Sequence, residues 1–228
     1  MGIALVSVII PVKNSERYVG SAIESVLQTN YSPFEIIVVD GQSVDGTADI
    51  VKSFPAVRHV FQKGRGLADA WNQGIAAAEG ELVAFLDSDD LWAPEKLRLQ
   101  VACLTGDPDL QYVISRFKFF LEPGYPVPVG FKKELLEGDH LGRIPGTLLA
   151  RRSLFAEIGN FNADISIAAD VDWFVRAKDR GIKMGIVPEI LLYKRVHDAN
   201  LSSNADKNNQ ELLSLLRQSI TRGRGAQG

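Results

Sequence analysis

Val83-Ala-Phe-Leu-Asp-Ser-Asp-Asp90 decides how the rest of the chain is read. Residues 82–86 form a short apolar run that stops abruptly at three carboxylates, Asp87, Asp89 and Asp90. A continuous hydrophobic run of this length is what a strand buried on both faces of a parallel sheet looks like. Ligands of open α/β sheets sit just beyond the carboxyl ends of such strands. Three acids gathered there repel one another unless a cation or hydrogen-bond donors offset the charge. Mg²⁺ or Mn²⁺, hard ions that take oxygen ligands, suit Asp-x-Asp spacing beside a phosphate. The plain alternative is a polar turn that caps the helix starting near Pro94.

Working outward, residues 5–10 are β-branched, end at Pro11 and read as a central buried strand, with a polar turn over 12–15. Tyr18, Val19, Ala22, Ile23, Val26 and Leu27 then mark one face of a helix, with Asn14 or Ser15 as its N-cap. Residues 34–39 give a second strand ending in Asp40, and Asp45 is expected to cap a short helix. A third strand spans 57–61; Gly64-Arg-Gly66 opens a helix that Gly80 closes. Up to Leu86 the chain alternates β-α-β-α-β-α-β, which predicts a mostly parallel sheet with helices on both faces. The second half is less regular. It reads as a helix from Pro94 to Leu104, a strand over 112–121 and a long loop over 123–142. A short strand (147–150) and a helix (152–158) follow, then a helix through Trp173, Phe174 and Ala177 and two strands (184–187, 190–196). One α/β domain over residues 1–205, an amphipathic helix over 206–222 and a disordered tail over 223–228 complete the expectation.

The chain has 228 residues, 46% hydrophobic and 23% charged, an ordinary globular balance. A net charge of −3 gives no bulk attraction to nucleic acid. The single cysteine, Cys103, excludes an intrachain disulfide, fits a reducing compartment and falls in an apolar pattern as core filler. No apolar run approaches ~18 residues, so no transmembrane segment is expected. The N-terminus lacks the basic region of a signal peptide. The expected location is the cytoplasm. Arg217 and Arg222 on the tail helix, with Arg224 just beyond it, leave weak peripheral contact with the inner face of the plasma membrane as a lesser reading.

Asp40, the Asp87–Asp90 cluster, Asp170 with Asp172, and His197 all fall at strand ends or helix starts. Singly, each has an ordinary explanation as a turn, an N-cap or a surface imidazole. A metal site holding a diphosphate, with a spare carboxylate nearby, accounts for all of them together. No Gly-x-Gly-x-x-Gly follows the first strand, and no P-loop, Gly-x-Ser-x-Gly elbow or Cys/His zinc cluster occurs.

Taken in order, these motifs resemble the family-2 (GT-A fold) inverting glycosyltransferases. The likeness lies in Ser7-Val-Ile-Ile-Pro11, Ile36-Ile-Val-Val-Asp40 with Ser43-Val-Asp-Gly-Thr47, Gly66-Leu-Ala-Asp-Ala-Trp-Asn72-Gln-Gly74 and Phe85-Leu-Asp-Ser-Asp-Asp90. Gly146-Thr-Leu, Gly159-Asn-Phe161, Ala169-Asp-Val-Asp-Trp173 and Tyr193-Lys-Arg-Val-His197 extend it over about residues 5 to 202. The resemblance implies an enzyme of polysaccharide biosynthesis, moving a sugar from a nucleotide-diphosphate sugar, UDP-linked foremost, to a saccharide or lipid-linked saccharide. It places Pro11, Val12, Asn14, Asp40, Asp69, Asn72, Asp87 and Ser88 around the nucleotide, and Asp89 and His197 on Mn²⁺ or Mg²⁺. Arg195 would help neutralise phosphate, and Asp170 would be the general base.

The family usually has Glu-Asp where this chain has Ala169-Asp170, which keeps Asp172 as a rival base. Two alternatives stay open: a non-catalytic nucleotide-sugar-binding protein of the same fold, and a sugar-phosphate nucleotidyltransferase. The second would want a Gly-rich, basic turn after the first strand, which residues 12–15 do not supply. Which sugar, acceptor and oligomeric state apply is not written in the sequence.

Overall fold

The computed structural model describes residues 3–197, so the tail helix and terminal segment expected beyond them lie outside the described residues. The element order is β1 (Val6–Val12), α1 (Val19–Leu27), β2 (Phe34–Asp40), α2 (Thr47–Lys52), β3 (Val57–Phe61), α3 (Leu67–Ala77) and β4 (Leu82–Phe85). The second half runs β5 (Leu91–Trp92), α4 (Lys96–Gly106), β6 (Tyr112–Phe120), β7 (His140–Leu141), β8 (Leu149–Arg151), α5 (Arg152–Ile158), α6 (Ala169–Asp179) and β9 (Met184–Arg195). The strands form one sheet in the order β3-β2-β1-β4-β8-β6-β9-β5, with β7 beside β6.

The first four strands are parallel, as the alternation predicts. Beyond β4 the sheet is mixed: β8 runs antiparallel to β4 and β6, β9 is parallel to β6, and β5 is antiparallel to β9. β1 is buried along its whole length and feeds both faces. Val6, Val8 and Ile10 pack with α1 and α4 on one side, while Ile9 packs with α3, α5 and α6 on the other. Gly74 on α3 lies directly on β1, where an added Cβ would fall 2.3 Å from Ile9 Cγ2. That contact sets how closely α3 approaches the sheet.

Several boundaries differ from the sequence reading. Pro11 does not stop β1; it pairs in register with Val39, and the strand runs on to Val12. Neither Asn14 nor Ser15 caps α1 through its side chain. The helix begins after Tyr18, and the carbonyl of Ser15 accepts the amides of Tyr18 and Val19. Asp45 does receive the Thr47 amide (3.1 Å) and hydroxyl (2.6 Å) at the start of α2. Gly80 does not cap α3, which ends at Ala77; it is a glycine because the start of β1 crowds it, with Leu5 O 2.6 Å from where a Cβ would stand. Asp170 is not an N-cap, since α6 starts at Ala169. The two late strands are one, β9, bent by a register shift opposite Ser115–Phe117. The long loop contains a 3₁₀ turn at Lys133–Leu136 and the short strand β7.

Candidate active site

The acids lie past the end of β4, at the edge where the parallel strands finish. β5, too short for a hydrophobic pattern to reveal, pairs Leu91 with Tyr193 and Trp92 with Leu192. That pairing brings the end of β9 against the acid loop. Both oxygens of the fully buried Asp90 are met there: the Arg195 amide donates to Oδ1 (2.9 Å) and Lys194 Nζ to Oδ2 (2.8 Å). Lys194 Nζ also lies 3.3 Å from Asp87 Oδ2. Asp89 Oδ2 is 2.9 Å from His197 Nε2, and the backbone carbonyl of Asp89 accepts Arg195 Nε (2.8 Å).

Burial pushes the Asp90 carboxyl up to about 7, against the pull of Lys194 and with help from Asp87 and Asp89. Asp87 moves in the same direction through burial and the Asp89 charge, with Lys194 opposing. Burial works against a charged Lys194, but Asp90 and Asp87 outweigh it and hold the amine well above the ordinary lysine range. Oxygen atoms of Asp87, Asp89 and Asp90 lie within 4.8 Å of one another. A hard divalent ion fits that donor set, through Asp89 first, because both oxygens of Asp90 and Oδ2 of Asp87 are already engaged.

Asp170 sits at the first turn of α6 and belongs to the same electrostatic site. Burial pushes it up to about 6; the Val171 amide, donating at 2.8 Å, lowers it, Asp87 raises it and Lys194 lowers it. Asp172 points elsewhere. It is buried and pairs with Arg176 (2.8 Å), whose guanidinium also donates to the carbonyls of Ile158, Gly159 and Asn160. Asp172 thus holds the 158–160 turn in place.

The loops after β1 and β2 are stitched into one rim. The Asn14 amide donates to Ser43 Oγ (2.9 Å), the Val44 amide to Asn14 Oδ1 (2.9 Å), and the Ser15 amide to Thr47 Oγ1 (2.7 Å). Asn14 adopts φ +50°, a conformation that asparagine tolerates better than most side chains. Pro11 and Val12 are buried at the rim's base, and Ser88 is half-buried beside the acids.

Three other expected nucleotide residues are hydrogen-bonded to neighbouring protein groups, Asp40 in the interior and Asp69 and Asn72 half-buried. Asp40 is fully buried, accepting the Ser43 amide (2.8 Å) and facing His59 Nε2 (3.2 Å). Asp69 accepts Gln62 Nε2 (2.8 Å) and Gln73 Nε2 (2.6 Å), fixing the turn before α3. The Asn72 amide exchanges two hydrogen bonds with the backbone of Phe161 (2.8 and 3.0 Å). The structure therefore brings Asp87, Asp89, Arg195 and His197 together, with Asp170 in electrostatic reach of Asp87, while Asp40, Asp69 and Asn72 are bonded to other protein groups.

Sequence reasoning missed Lys194 and Glu122. Glu122 binds Arg195 (2.5 Å) and Arg17 (2.7 Å), while the Arg195 guanidinium stacks over Tyr18 and Phe120 at 4.8 and 4.7 Å. The available signal was a Lys-Arg pair closing an otherwise apolar strand, opposite a run of acids that needs countercharge.

A parallel βαβ half that delivers an acid cluster to its carboxyl edge, closed by a mixed half that supplies a half-buried carboxylate, defines a GT-A-type fold. Solved structures agree. S. aureus TarS with UDP-GlcNAc superposes with a TM-score of 0.76 at 23% identity, covering 95% of this chain and 66% of that one. A Pyrobaculum calidifontis mannosyltransferase with GDP-Man and Mn²⁺ gives 0.73 at 23% identity, covering 97% and 65%.

The sequence match is more specific: the model of glycosyl transferase family 2 matches residues 7–159, and the chain belongs to that family. An uncharacterised glycosyltransferase of Nostoc is 43% identical over 98 residues, 41% of this chain and 30% of the relative. One from Rickettsia typhi is 30% identical over 218 residues, 88% and 67% respectively. An Escherichia coli UDP-Glc:α-D-GlcNAc-diphosphoundecaprenol β-1,3-glucosyltransferase is 37% identical over 103 residues, 44% and 41%. The chain thus spans between 30% and 67% of the length of these relatives.

Proposed function

We propose that the chain transfers a sugar, with inversion, from a UDP-sugar to a hydroxyl of a saccharide carried on a lipid diphosphate. One observation carries the reading. Asp170, with its carboxyl raised to about 6, stands within the electrostatic reach of Asp87 and Lys194, so one carboxylate overlooks the acid cluster from another element. A carboxylate so raised is a better base near neutrality than an ordinary aspartate and is still mostly ionised there. The acceptor hydroxyl gives its proton to Asp170 while its oxygen bonds the anomeric carbon, and the bond from that carbon to the diphosphate breaks. Attack from the face opposite the leaving group inverts the centre. Asp172 is set aside as base because Arg176 occupies it.

Asp89 and His197, with Asp87 beside them, would hold Mn²⁺ or Mg²⁺, whose chemistry there is Lewis-acid stabilisation of the departing diphosphate. Asn14, Pro11, Val12 and Ser88 border the nucleotide. Arg195 reaches phosphate only by exchanging Glu122, its present partner.

The acceptor reading rests on a cavity of about 270 Å³ along α6, lined by Val171, Phe174 and Val175 with Arg143 and Lys178. Its lining is mainly apolar with two cations, which matches an anionic head on an apolar chain, and it begins one residue from Asp170. The E. coli relative is named for such an acceptor. This acceptor would place the protein at the inner face of the plasma membrane; no helix among the described residues is long and apolar enough to cross one.

The test is a thermal-shift panel of UDP- and GDP-sugars with Mn²⁺ and with chelator, followed by a transfer assay with the stabilising donor. A ligand present at 100 times its Kd stabilises the folded form by about 2.7 kcal/mol. If no nucleotide sugar shifts the transition, the transferase reading fails. Binding without transfer or donor hydrolysis would leave a nucleotide-sugar-binding protein.

A further inference from the structure

The proposed reading assigns a divalent ion to the acid cluster, but the chain already brings a cation of its own. Lys194 Nζ donates to Asp90 Oδ2 at 2.8 Å and stands 3.3 Å from Asp87 Oδ2. The Arg195 amide takes the other oxygen of Asp90 at 2.9 Å. The Arg195 guanidinium does not share this task, since it donates to Glu122 and to the Asp89 carbonyl. Asp89 is the member that Lys194 leaves aside, and its Oδ2 faces His197 instead.

We propose that Lys194 is a built-in counter-cation that divides the cluster in two. Asp87 and Asp90 are neutralised from within the chain, and Asp89 with His197 is left to a divalent ion. Two consequences follow from charge alone. The acid loop keeps its shape without metal, because the carboxylate that most needs a partner, the fully buried Asp90, has a permanent one. And Lys194 weakens the binding of a free divalent ion, because it sets a positive charge beside the ligands and occupies two oxygens that could have joined them. In the presence of donor the diphosphate adds its own negative charge, so metal and nucleotide sugar bind together better than either binds alone. Lys194 is on this account a positioning residue that makes metal capture depend on donor. The inference rests on the proposed transferase reading only for that last step.

The experiment uses the full chain, stripped with EDTA and free of nucleotide, as wild type, Lys194→Met and Lys194→Arg. Thermal unfolding is followed in EDTA and in Mn²⁺, and Mn²⁺ affinity is measured by electron paramagnetic resonance of the free ion. Wild type and Lys194→Arg should melt within about 1 °C of each other in EDTA and gain little from Mn²⁺ alone. Lys194→Met should melt about 5 °C lower in EDTA, recover at least half of that in Mn²⁺, and bind free Mn²⁺ about tenfold more tightly than wild type.

The proposal is overturned if EDTA destabilises wild type as much as it does Lys194→Met, or if Mn²⁺ affinity is the same in both. If Lys194→Met does not fold under either condition, Lys194→Arg decides: wild-type melting and affinity support the idea, and a large change in either refutes it. None of these measurements contains donor. A chain that shows this metal behaviour but binds no nucleotide sugar loses the transferase reading alone.

Discussion

Lys96 is a lysine buried without a charge partner among the described residues, and replacing it gives a measurable result of known sign. It is fully buried on α4; its Nζ donates to Gln100 Oε1 at 2.7 Å and lies 4.9 Å from the centre of the Trp92 ring. Among the described residues no carboxylate is paired with it, and burial lowers its pKa from 10.5 to about 7. Below pH 7 the amine is charged in both folded and unfolded chains, and the folded state bears the full cost of burying that charge. Between 7 and 10.5 the unfolded chain still binds the proton while the folded chain has released it, so this group makes stability rise with pH. Each unit in that window is worth about 1.4 kcal/mol.

From pH 7 to 9.5 the contribution is therefore about 3 kcal/mol. Lys96→Met keeps most of the volume and removes the titration. It also leaves Gln100 Oε1 without its donor, a pH-independent loss of about 1–2 kcal/mol, while Gln100 Nε2 keeps its bond to Thr147 O. Urea unfolding of both proteins at half-unit pH steps gives the difference curve, in which the other titrating groups cancel. The stability of Lys96→Met minus that of wild type should fall by about 3 kcal/mol from pH 7 to 9.5. A flat difference curve, or one of opposite slope, would show that Lys96 is not carried neutral in the core and would refute the argument.

Three further outcomes are expected. Asp170→Asn should leave nucleotide-sugar binding by calorimetry nearly unchanged while lowering turnover by about 10²-fold or more; in wild type, kcat/KM should fall about tenfold per unit below pH about 6, where Asp170 takes up its proton. Gly74→Ala puts a methyl 2.3 Å from Ile9 Cγ2 and should cost about 1–3 kcal/mol in denaturant unfolding, although alanine is the better helix former. Replacing Arg143 and Lys178 together by Ala should raise KM for a lipid-diphosphate-linked acceptor by about 10²-fold or more and leave KM for the nucleotide sugar in place, since each charge-assisted contact is worth about 1.5–3 kcal/mol.

The parallel half was legible because its physics is local. Strands buried on both faces must be continuously apolar, so β1, β2 and β4 announce themselves, and the acids that end β4 are conspicuous against that background. The second half resisted for the opposite reason. β5 has two residues, too few for any period, and exists because β9 offers a free hydrogen-bonding edge; β8 was legible as a short strand near 147–150, but its antiparallel direction was not. The same limit hid Lys194: its partners are 104 and 107 positions away and depend on β5 for their approach. Asp69 and Asn72 carry a second use that residue type alone does not reveal: Asp69 holds the side-chain amides of Gln62 and Gln73, and Asn72 holds the backbone of Phe161.

The division of labour between the halves bears on how such a chain changes its substrate. The family match ends at residue 159, before α6 and β9. The rim loops and the acids precede that point; Asp170, Lys194, Arg195 and His197 follow it. On the proposed function a nucleotide diphosphate poses the same electrostatic problem whatever the acceptor, and both halves share it: the acids come from the first, and Lys194, Arg195 and His197 from the second. Acceptors differ in shape and charge, and the elements that would meet them, α6 and the segment around Arg143, are packed against the sheet from outside rather than woven through its parallel core. They can be remodelled without disturbing β1, β2 and β4. Lys194 sits where this freedom stops: it is supplied by the second half and spent on the acids of the first, so β9 is held at the residue that faces Asp87 and Asp90 as well as at its buried Val187, Leu191 and Leu192.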